Sequence, residues 1–480
     1  MKGKKINIKY LIFSLIIVVL MIATFYIKKF LSDSNFESTL FYSISGPAEF
    51  DMSIILDVSK ICVPLLIVLT TAIYFAFDKV KFIKKHDWLV MIVLVLTFST
   101  TLLWNIDVFD YLKYEMQTSN IISDNYVEPE STNIIFPDKK RNLILIIVES
   151  LENSFLTKED GGAWDYSIIP ELSTLLKDDD TITFNSKNTG MKMLHGTSYT
   201  SSAIVANNAG IPIKVQGTTS GYGSSNFMNG SYTLGDLLYK NGYTNEVVSG
   251  ATTDFGGLKS FYKNHGNFKV IDLNSLKEYG YTLNKDDYGK WGFNDNYLFK
   301  VARDRLDKLS QDDKPFDLQL ITIDTHFFNG FVGKYSETKF DKQYENAYAT
   351  TSRLIYEFID YVKSKTYYKD TTIVVVGDHL TMQTSFINDK MFKDRTIYNC
   401  IVNSYNKELS NKDRIYSALD NYPTIVSAIG GQIEGNRLGL GVNLFSSEKT
   451  LLERYGISEA DEQLKKKSNY YNKKILKVGK

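Results

Sequence analysis

Three stretches near the N-terminus carry almost no charge: Tyr10 to Ile27, Ile61 to Phe77, and Trp88 to Trp104. At about 1.5 Å of rise per residue each would make a helix of roughly 25–27 Å, close to the ~30 Å hydrocarbon thickness of a bilayer once flanking aromatic residues are counted. Three transmembrane helices are therefore expected, over about 10–27, 61–77 and 88–104, within a membrane region covering residues 1–105. The basic start at Lys2, Lys4, Lys5 and Lys9 would also suit a cleaved signal peptide. No small-residue cleavage site precedes Lys28 and Lys29, however, and this favours an anchor. Asp57 and Lys60 stop the middle stretch from extending toward its N-terminal side.

Lysine also sets the orientation. The N-terminus and the short loop holding Lys79, Lys81, Lys84 and Lys85 fall on one side of three spans, and the excess of positive charge assigns that side to the cytoplasm. Everything after Trp104 then emerges on the outer face. Lysine far outnumbers arginine while Asn, Ile and Tyr abound, a composition that hints at an AT-rich bacterial genome and no more; the expected location is a bacterial cell membrane. With 55 basic and 55 acidic side chains, no net field draws the chain to a polyanion, and no nucleic-acid partner is expected. The two cysteines, Cys62 and Cys400, lie far apart without Cys-rich or His-rich surroundings and read as inert apolar residues.

Residues 106–140 turn polar and read as a linker that lifts the next domain off the bilayer. From 141 to 457 short apolar runs alternate with helical patterns. The runs Leu143 to Val148, Glu246 to Ser249, Leu318 to Ile323 and Thr372 to Val376 predict buried strands; Tyr232 to Lys240, Asn294 to Leu309 and Asp341 to Lys365 predict helices. This alternation implies an α/β fold with a mostly parallel sheet and helices on both faces. Residues 458–480 are lysine-rich and read as a solvated tail.

In open parallel sheets ligands gather beyond the carboxyl ends of the strands. There the chain places Glu149 and Ser150, then Asp324, Thr325 and His326, then Gly377, Asp378 and His379. A single acid after a strand is more often a helix cap or a turn residue, but three strands delivering acids and histidines to one rim indicate a site. Glu149, Asp378 and His379 offer two hard oxygens and an imidazole, a set suited to Mn²⁺ or Zn²⁺, with Mg²⁺ possible, and unlike the all-oxygen shell of calcium. Between these strand ends lies Gly196-Thr197-Ser198-Tyr199-Thr200-Ser201-Ser202, where hydroxyls crowd the start of an apolar helical segment that ends at Gly210 and Pro212. A phosphate there would meet unpaired backbone N–H groups and the positive end of the helix dipole. Helix capping by Thr197, Ser198 or Thr200 explains the same pattern, and spacing alone does not choose among them.

The order Val148-Glu149-Ser150, Gly196-Thr197-Ser198-Tyr199-Thr200 with Gly210-Ile211-Pro212 downstream, Asp324-Thr325-His326, and Gly377-Asp378-His379-Leu380-Thr381-Met382 resembles the sulfatase-like phosphoglycerol transferases of the alkaline phosphatase superfamily. The nearest branch in pattern is the membrane-oligosaccharide phosphoglycerol transferases, with lipoteichoic acid synthases as wider relatives. Tyr422 to Ile425 and Arg437 to Phe445 resemble that branch too, so the match runs from about Asn142 to Tyr455. The resemblance implies that Glu149, Thr200, Asp378 and His379 bind one divalent metal, Mn²⁺ first, and that Thr200 is also the nucleophile. It implies that His326 contacts the substrate phosphate and, more weakly, that His265 and Trp291 line the substrate region. His195, just before the nucleophile segment, departs from the family pattern, and His86 falls in the cytoplasmic loop.

The implied reaction moves glycerol phosphate from phosphatidylglycerol to an extracytoplasmic glycan or glycolipid through a covalent threonine intermediate. A phosphoethanolamine transferase, a lipoteichoic acid synthase-like polymerase and a phosphodiester hydrolase are the alternatives within the superfamily; a tethered binding protein lies outside it. Three expected spans rather than five argue against polymer synthesis. The Cys or Ser followed by Pro and Arg that sulfate hydrolysis requires is missing around Thr200.

Overall fold

The computed structural model describes residues 6–30, 36–45, 52–185, 190–216, 221–223, 225–383, 386–387, 395–411 and 413–477. Packing divides the chain into two units, Met1–Leu40 with Ala48–Met116, and Phe41–Pro47 with Gln117–Lys480.

The smaller unit is helical. Its long helices are α1 (Ile8–Phe30), α3 (Met52–Lys79) and α4 (Asp87–Asn105); a shorter helix α2 (Phe36–Ser45), which the sequence pattern does not announce, belongs to it only as far as Leu40, its residues from Phe41 on grouping with the larger unit. Among the described residues three segments are long and apolar enough to cross a membrane: Ile8–Tyr26, Ser59–Lys79 and Asp87–Asn105. Tyr10, Phe13, Ile17, Phe77 and Met91 pack together, while Ile67, Ile92 and Leu96 point outward uncovered. A helix apolar on every side needs an apolar solvent, as a membrane span does. Lys9 closes one corner, 2.6 Å from an Asp87 oxygen with its ammonium over the Trp88 ring. Lys2, Lys4 and Lys5, used above for orientation, lie outside the described residues.

The larger unit is built on seven strands: β1 (Asn142–Val148), β2 (Thr181–Ile182), β3 (Thr244–Ser249), β4 (Lys269–Ile271), β5 (Phe316–Ile321), β6 (Thr371–Gly377) and β7 (Asn399–Val402). Their order across the sheet is β2-β7-β6-β1-β5-β3-β4, parallel from β6 to β4 and antiparallel at the β7 and β2 edge. Central strands covered on both faces read as unbroken apolar runs. Accordingly Leu143 to Val148 and Ile373 to Val376 are fully buried. The amphipathic helices α6 (Asp295–Leu309) and α7 (Gln343–Lys363) turn Leu298, Val301, Leu306, Leu354, Phe358 and Val362 into this core. Helix α5 (Thr200–Ala209) is short and buried over nearly its whole length, which is why its sequence shows no clear polar face.

Two expectations about the flanks are corrected. Part of the 106–140 segment is structured against the larger unit: Ile121 and Ile122 are buried, and Ile134–Ile135 pairs with Gln432–Ile433. The 458–480 segment is no solvated tail, since helix α8 (Ile457–Lys465) is followed by a stretch that buries Tyr471 and Ile475 completely. Apolar side chains spaced among lysines vanish in a composition average, yet they suffice to dock a chain end.

Register brings the site together. Strands β1 and β6 are parallel neighbours with Val148 opposite Gly377, so the next residues, Glu149 and Asp378, leave the sheet side by side. Only glycine fits at 377, because a Cβ there would stand 1.9 Å from the Leu151 carbonyl oxygen.

Candidate active site

Beyond the strand ends the chain turns sharply, and Ser150 adopts a left-handed backbone conformation with φ 54°. Such a residue needs outside support. Its N–H donates to Asp378 Oδ1 at 2.7 Å and its carbonyl accepts the Tyr348 hydroxyl at 2.9 Å. Threonines at the end of β5 hold the backbone of Glu149: its N–H donates to Thr322 Oγ1 at 3.1 Å and its carbonyl accepts from Thr325 Oγ1 at 2.6 Å. The Ser150 hydroxyl donates to Glu149 Oε1 at 2.6 Å, which leaves Oε2 facing α5.

Thr200, the first residue of α5, donates its hydroxyl to Glu149 Oε2 at 3.3 Å. Ser202 anchors that helix start, its hydroxyl accepting the Tyr199 N–H at 3.1 Å and donating back to the Tyr199 carbonyl at 2.7 Å. His379 lies 3.7 Å from Glu149 Oε1 and 3.4 Å from Asp378 Oδ2 through Nε2. Its other ring nitrogen, Nδ1, is 2.9 Å from the Leu380 carbonyl and carries a hydrogen, so in the neutral ring Nε2 is the atom with a lone pair for a cation. Glu149, Asp378 and His379 are all buried, each with a ligand atom within 4.8 Å of the others'.

Asp378 provides the test of whether a cation fits. Oδ1 accepts two backbone N–H groups, from Ser150 and His379, each at 2.7 Å, while buried Oδ2 has no hydrogen-bond partner among the described residues. Burial, and then the charge of Glu149, push this carboxyl up to about 7. A buried carboxylate oxygen with no donor, beside a second carboxylate and an imidazole lone pair, is an anionic cage that a divalent cation would satisfy. The donor set fits Mn²⁺, Zn²⁺ or Mg²⁺.

His326 stands on the turn after β5. Two acids pin that turn: Asp295, at the start of α6, accepts the N–H of Ile323 at 2.8 Å and the Thr351 hydroxyl at 2.8 Å, while Asp324 accepts the Asp295 N–H at 2.8 Å. Burial lowers the His326 imidazole to about 4, so it is neutral at physiological pH. Its Nδ1 is 2.7 Å from the Phe327 carbonyl, and Nε2 is left as an acceptor. The Trp291 ring lies 4.6 Å from the His326 ring, so these two sequence candidates stand together. His265 does not join them: its ring nitrogens are taken up by Asp236 Oδ2 at 3.1 Å and the Phe227 carbonyl at 2.8 Å, an arrangement that braces the local chain.

Several residues escaped sequence reasoning. Thr322 and Asp295 are supports visible only once register is known, as is the supporting contact of Thr325, which the sequence placed at the strand end. Buried Glu152 pairs with partly exposed Arg395 at 2.9 Å, within the electrostatic reach of His379, and Arg395 also donates to the Thr381 carbonyl. From the segment between the first two spans comes Tyr42, whose ring stacks on Phe255 with centroids 4.6 Å apart. Nothing in the local pattern of that segment distinguishes it from a loop.

Residues 141–431 match the sulfatase family model. A protein from Escherichia coli named phosphoglycerol transferase I is 30% identical over 336 residues, covering 67% of this chain and 41% of its own length. The chain thus spans about two fifths of the length of the curated relatives it matches. Among solved structures, a protein in the alkaline phosphatase superfamily from Vibrio parahaemolyticus aligns with a TM-score of 0.52 at 22% identity, over 68% of this chain and 77% of that one. The lipoteichoic acid synthase LtaP from Listeria monocytogenes aligns with a TM-score of 0.51 at 17% identity, over 68% and 81%. These likenesses extend the fold described above to known members of that superfamily.

Proposed function

The chain belongs to the sulfatase family, and from that premise we propose that it is a membrane-anchored phosphoglycerol transferase with Thr200 as its nucleophile. The donor is phosphatidylglycerol and the acceptor a hydroxyl of a cell-envelope glycan or glycolipid. One contact carries the proposal: the Thr200 hydroxyl lies 3.3 Å from a Glu149 oxygen, at the edge of the buried acid and imidazole cluster. The 30% identity to phosphoglycerol transferase I favours glycerol phosphate as the group moved.

In the first half-reaction Thr200 Oγ1 attacks the phosphorus of the donor phosphodiester. The bond from phosphorus to the diacylglycerol oxygen breaks on the side away from Thr200, and that oxygen takes a proton from water, while the proton of Thr200 is released past Glu149, the nearest carboxylate. In the second half an acceptor hydroxyl attacks the same phosphorus, displaces Thr200 and returns a proton to it. A divalent cation, Mn²⁺ first, held by Glu149, Thr200, Asp378 and His379 would lower the pKa of the threonine hydroxyl and neutralise phosphoryl charge. The start of α5 contributes backbone N–H groups and the positive end of its dipole. The resemblance assigns His326 to the substrate phosphate, but a neutral ring whose Nε2 accepts is suited instead to a substrate hydroxyl, with Trp291 backing it with an apolar face. Membrane anchoring suits a lipid donor, because headgroups arrive in two dimensions and diacylglycerol stays in the bilayer. The lysine distribution assigns the larger unit to the outer face of a multi-pass protein.

The test uses the full chain in vesicles of phosphatidylglycerol without acceptor, read by peptide mass spectrometry. One glycerophosphoryl group on Thr200 is expected, with none on Thr200→Ala protein of unchanged melting temperature. Turnover retained by Thr200→Ala would remove the mechanism. An ethanolamine phosphate adduct formed from phosphatidylethanolamine instead would keep the nucleophile and change the donor.

A further inference from the structure

The aromatic wall next to Thr200 contains a hydroxyl that the reaction above does not use. In chain order Phe41 and Tyr42 fall between the candidate spans Ile8–Tyr26 and Ser59–Lys79, yet they pack as part of the larger unit. Phe41 is fully buried, its ring 5.5 Å from Tyr199, 5.3 Å from Tyr222 and 6.3 Å from Phe227. Tyr42 lies flat on Phe255 at 4.6 Å with an interplanar angle of 10°, and 5.3 Å from Tyr199, the residue directly before the nucleophile. Gly256 makes this approach possible: a Cβ there would meet Ser201 Oγ at 2.3 Å and the Tyr42 ring at 3.2 Å.

An aromatic residue used only for packing buries its ring and caps its hydroxyl with a partner. Tyr42 is half-buried, and its hydroxyl makes no hydrogen bond with any described residue. Burial, followed by the charges of Glu149 and Asp378, holds the phenol protonated far above its usual range. The group is thus an O–H that does not ionise, within the field of the site's two carboxylates, on a ring clamped between the nucleophile helix and Phe255. Such a donor matches an anionic phosphoryl oxygen.

We infer that Tyr42 binds the lipid donor, its hydroxyl donating to a phosphoryl oxygen of the phosphodiester while the stack on Phe255 keeps the ring beside Thr200. This rests on the transferase reading above. Phe41 and Tyr42 are then part of the active-site wall and not only a connection between helices.

The experiment compares full-length wild type with Tyr42→Phe, which keeps every ring contact and removes one oxygen. Adduct formation on Thr200 is followed against the concentration of headgroup-labelled phosphatidylglycerol in phosphatidylcholine vesicles, with rates normalised to the folded fraction measured by circular dichroism. Loss of one hydrogen bond to a charged group predicts a fall of about tenfold in the ratio of adduct rate to half-saturating lipid, at unchanged melting temperature. Phe255→Leu, which keeps the hydroxyl but frees the ring, should give a smaller fall. A Tyr42→Phe rate within twofold of wild type overturns the inference. If wild type forms no adduct with any phospholipid, the transferase reading itself fails, an outcome distinct from a working wild type beside an equally active variant.

Discussion

Two buried acids, Asp378 and Asp317, each hold one carboxylate oxygen without a hydrogen-bond partner among the described residues, and what surrounds them separates function from structure. Around Asp378 converge Glu149, His379 and the Thr200 hydroxyl beyond them. Asp317, on β5, has the Gln319 amide at 3.1 Å, with no cluster of other donors. Burial pushes Asp317 up to about 7 from an ordinary value of 3.8. The folded state therefore holds a proton that the unfolded state releases, so the stabilising contribution is complete below about pH 4 and lost as pH rises through about 7. At pH 8 the native state carries a charge it cannot solvate. Asp317→Asn keeps an oxygen to accept from Gln319 and should melt several degrees above wild type at pH 8, with the gap closing as pH falls toward 4. Thermal melts across that range check it; a gap independent of pH would refute a titration origin.

At the scale of elements, most of what positions the site was legible. The apolar runs at 143–148, 318–323 and 372–376 placed β1, β5 and β6 within two residues of their ends; β1 and β6, covered on both faces, offer no polar interruption between their ends, whereas β5 carries buried Asp317 and Gln319 and its run was read two residues late. The start of α5 was legible as a cluster of hydroxyls, though spacing did not say which one faces the acids. That depends on Ser202 turning back to the Tyr199 backbone, a contact of tertiary origin. Strand β4, three residues long, and the antiparallel β7 were invisible, being too short for a period or placed at an edge where apolar content is ambiguous. The chain end was misread for a related reason. Tyr471 is fully buried and donates its hydroxyl to the Pro212 carbonyl at 2.8 Å, just past the end of α5. Tyr471→Ala should cost about 3–5 kcal/mol in chemical denaturation, the range for emptying a large buried aromatic site. A cost near zero would restore the solvated-tail description.

Across the whole molecule, the apolar helices and the larger unit were readable as separate regions, while the boundary between them was not: residues from 117 onward, and Phe41–Pro47, group with the larger unit. A linker and a wall of aromatic rings look alike in sequence when their partners are remote. The assigned orientation has its own test, helped by a chain whose cysteines are Cys62, in a candidate span, and buried Cys400. A cysteine placed at Lys81 should react with a membrane-impermeant maleimide only after cells are opened, whereas one at exposed Lys158 should react in intact cells. The reverse pattern would invert the protein.

The adjacency of β1 and β6 has a consequence for how the protein matures. Glu149 and Asp378 come together only because strands from distant parts of the chain become hydrogen-bonded neighbours, so a nascent or unfolded polypeptide has no such cluster. On the proposed metal-dependent reading, loading would wait until the sheet closes, and the supply of metals in the compartment where that happens would weigh in the choice of occupant.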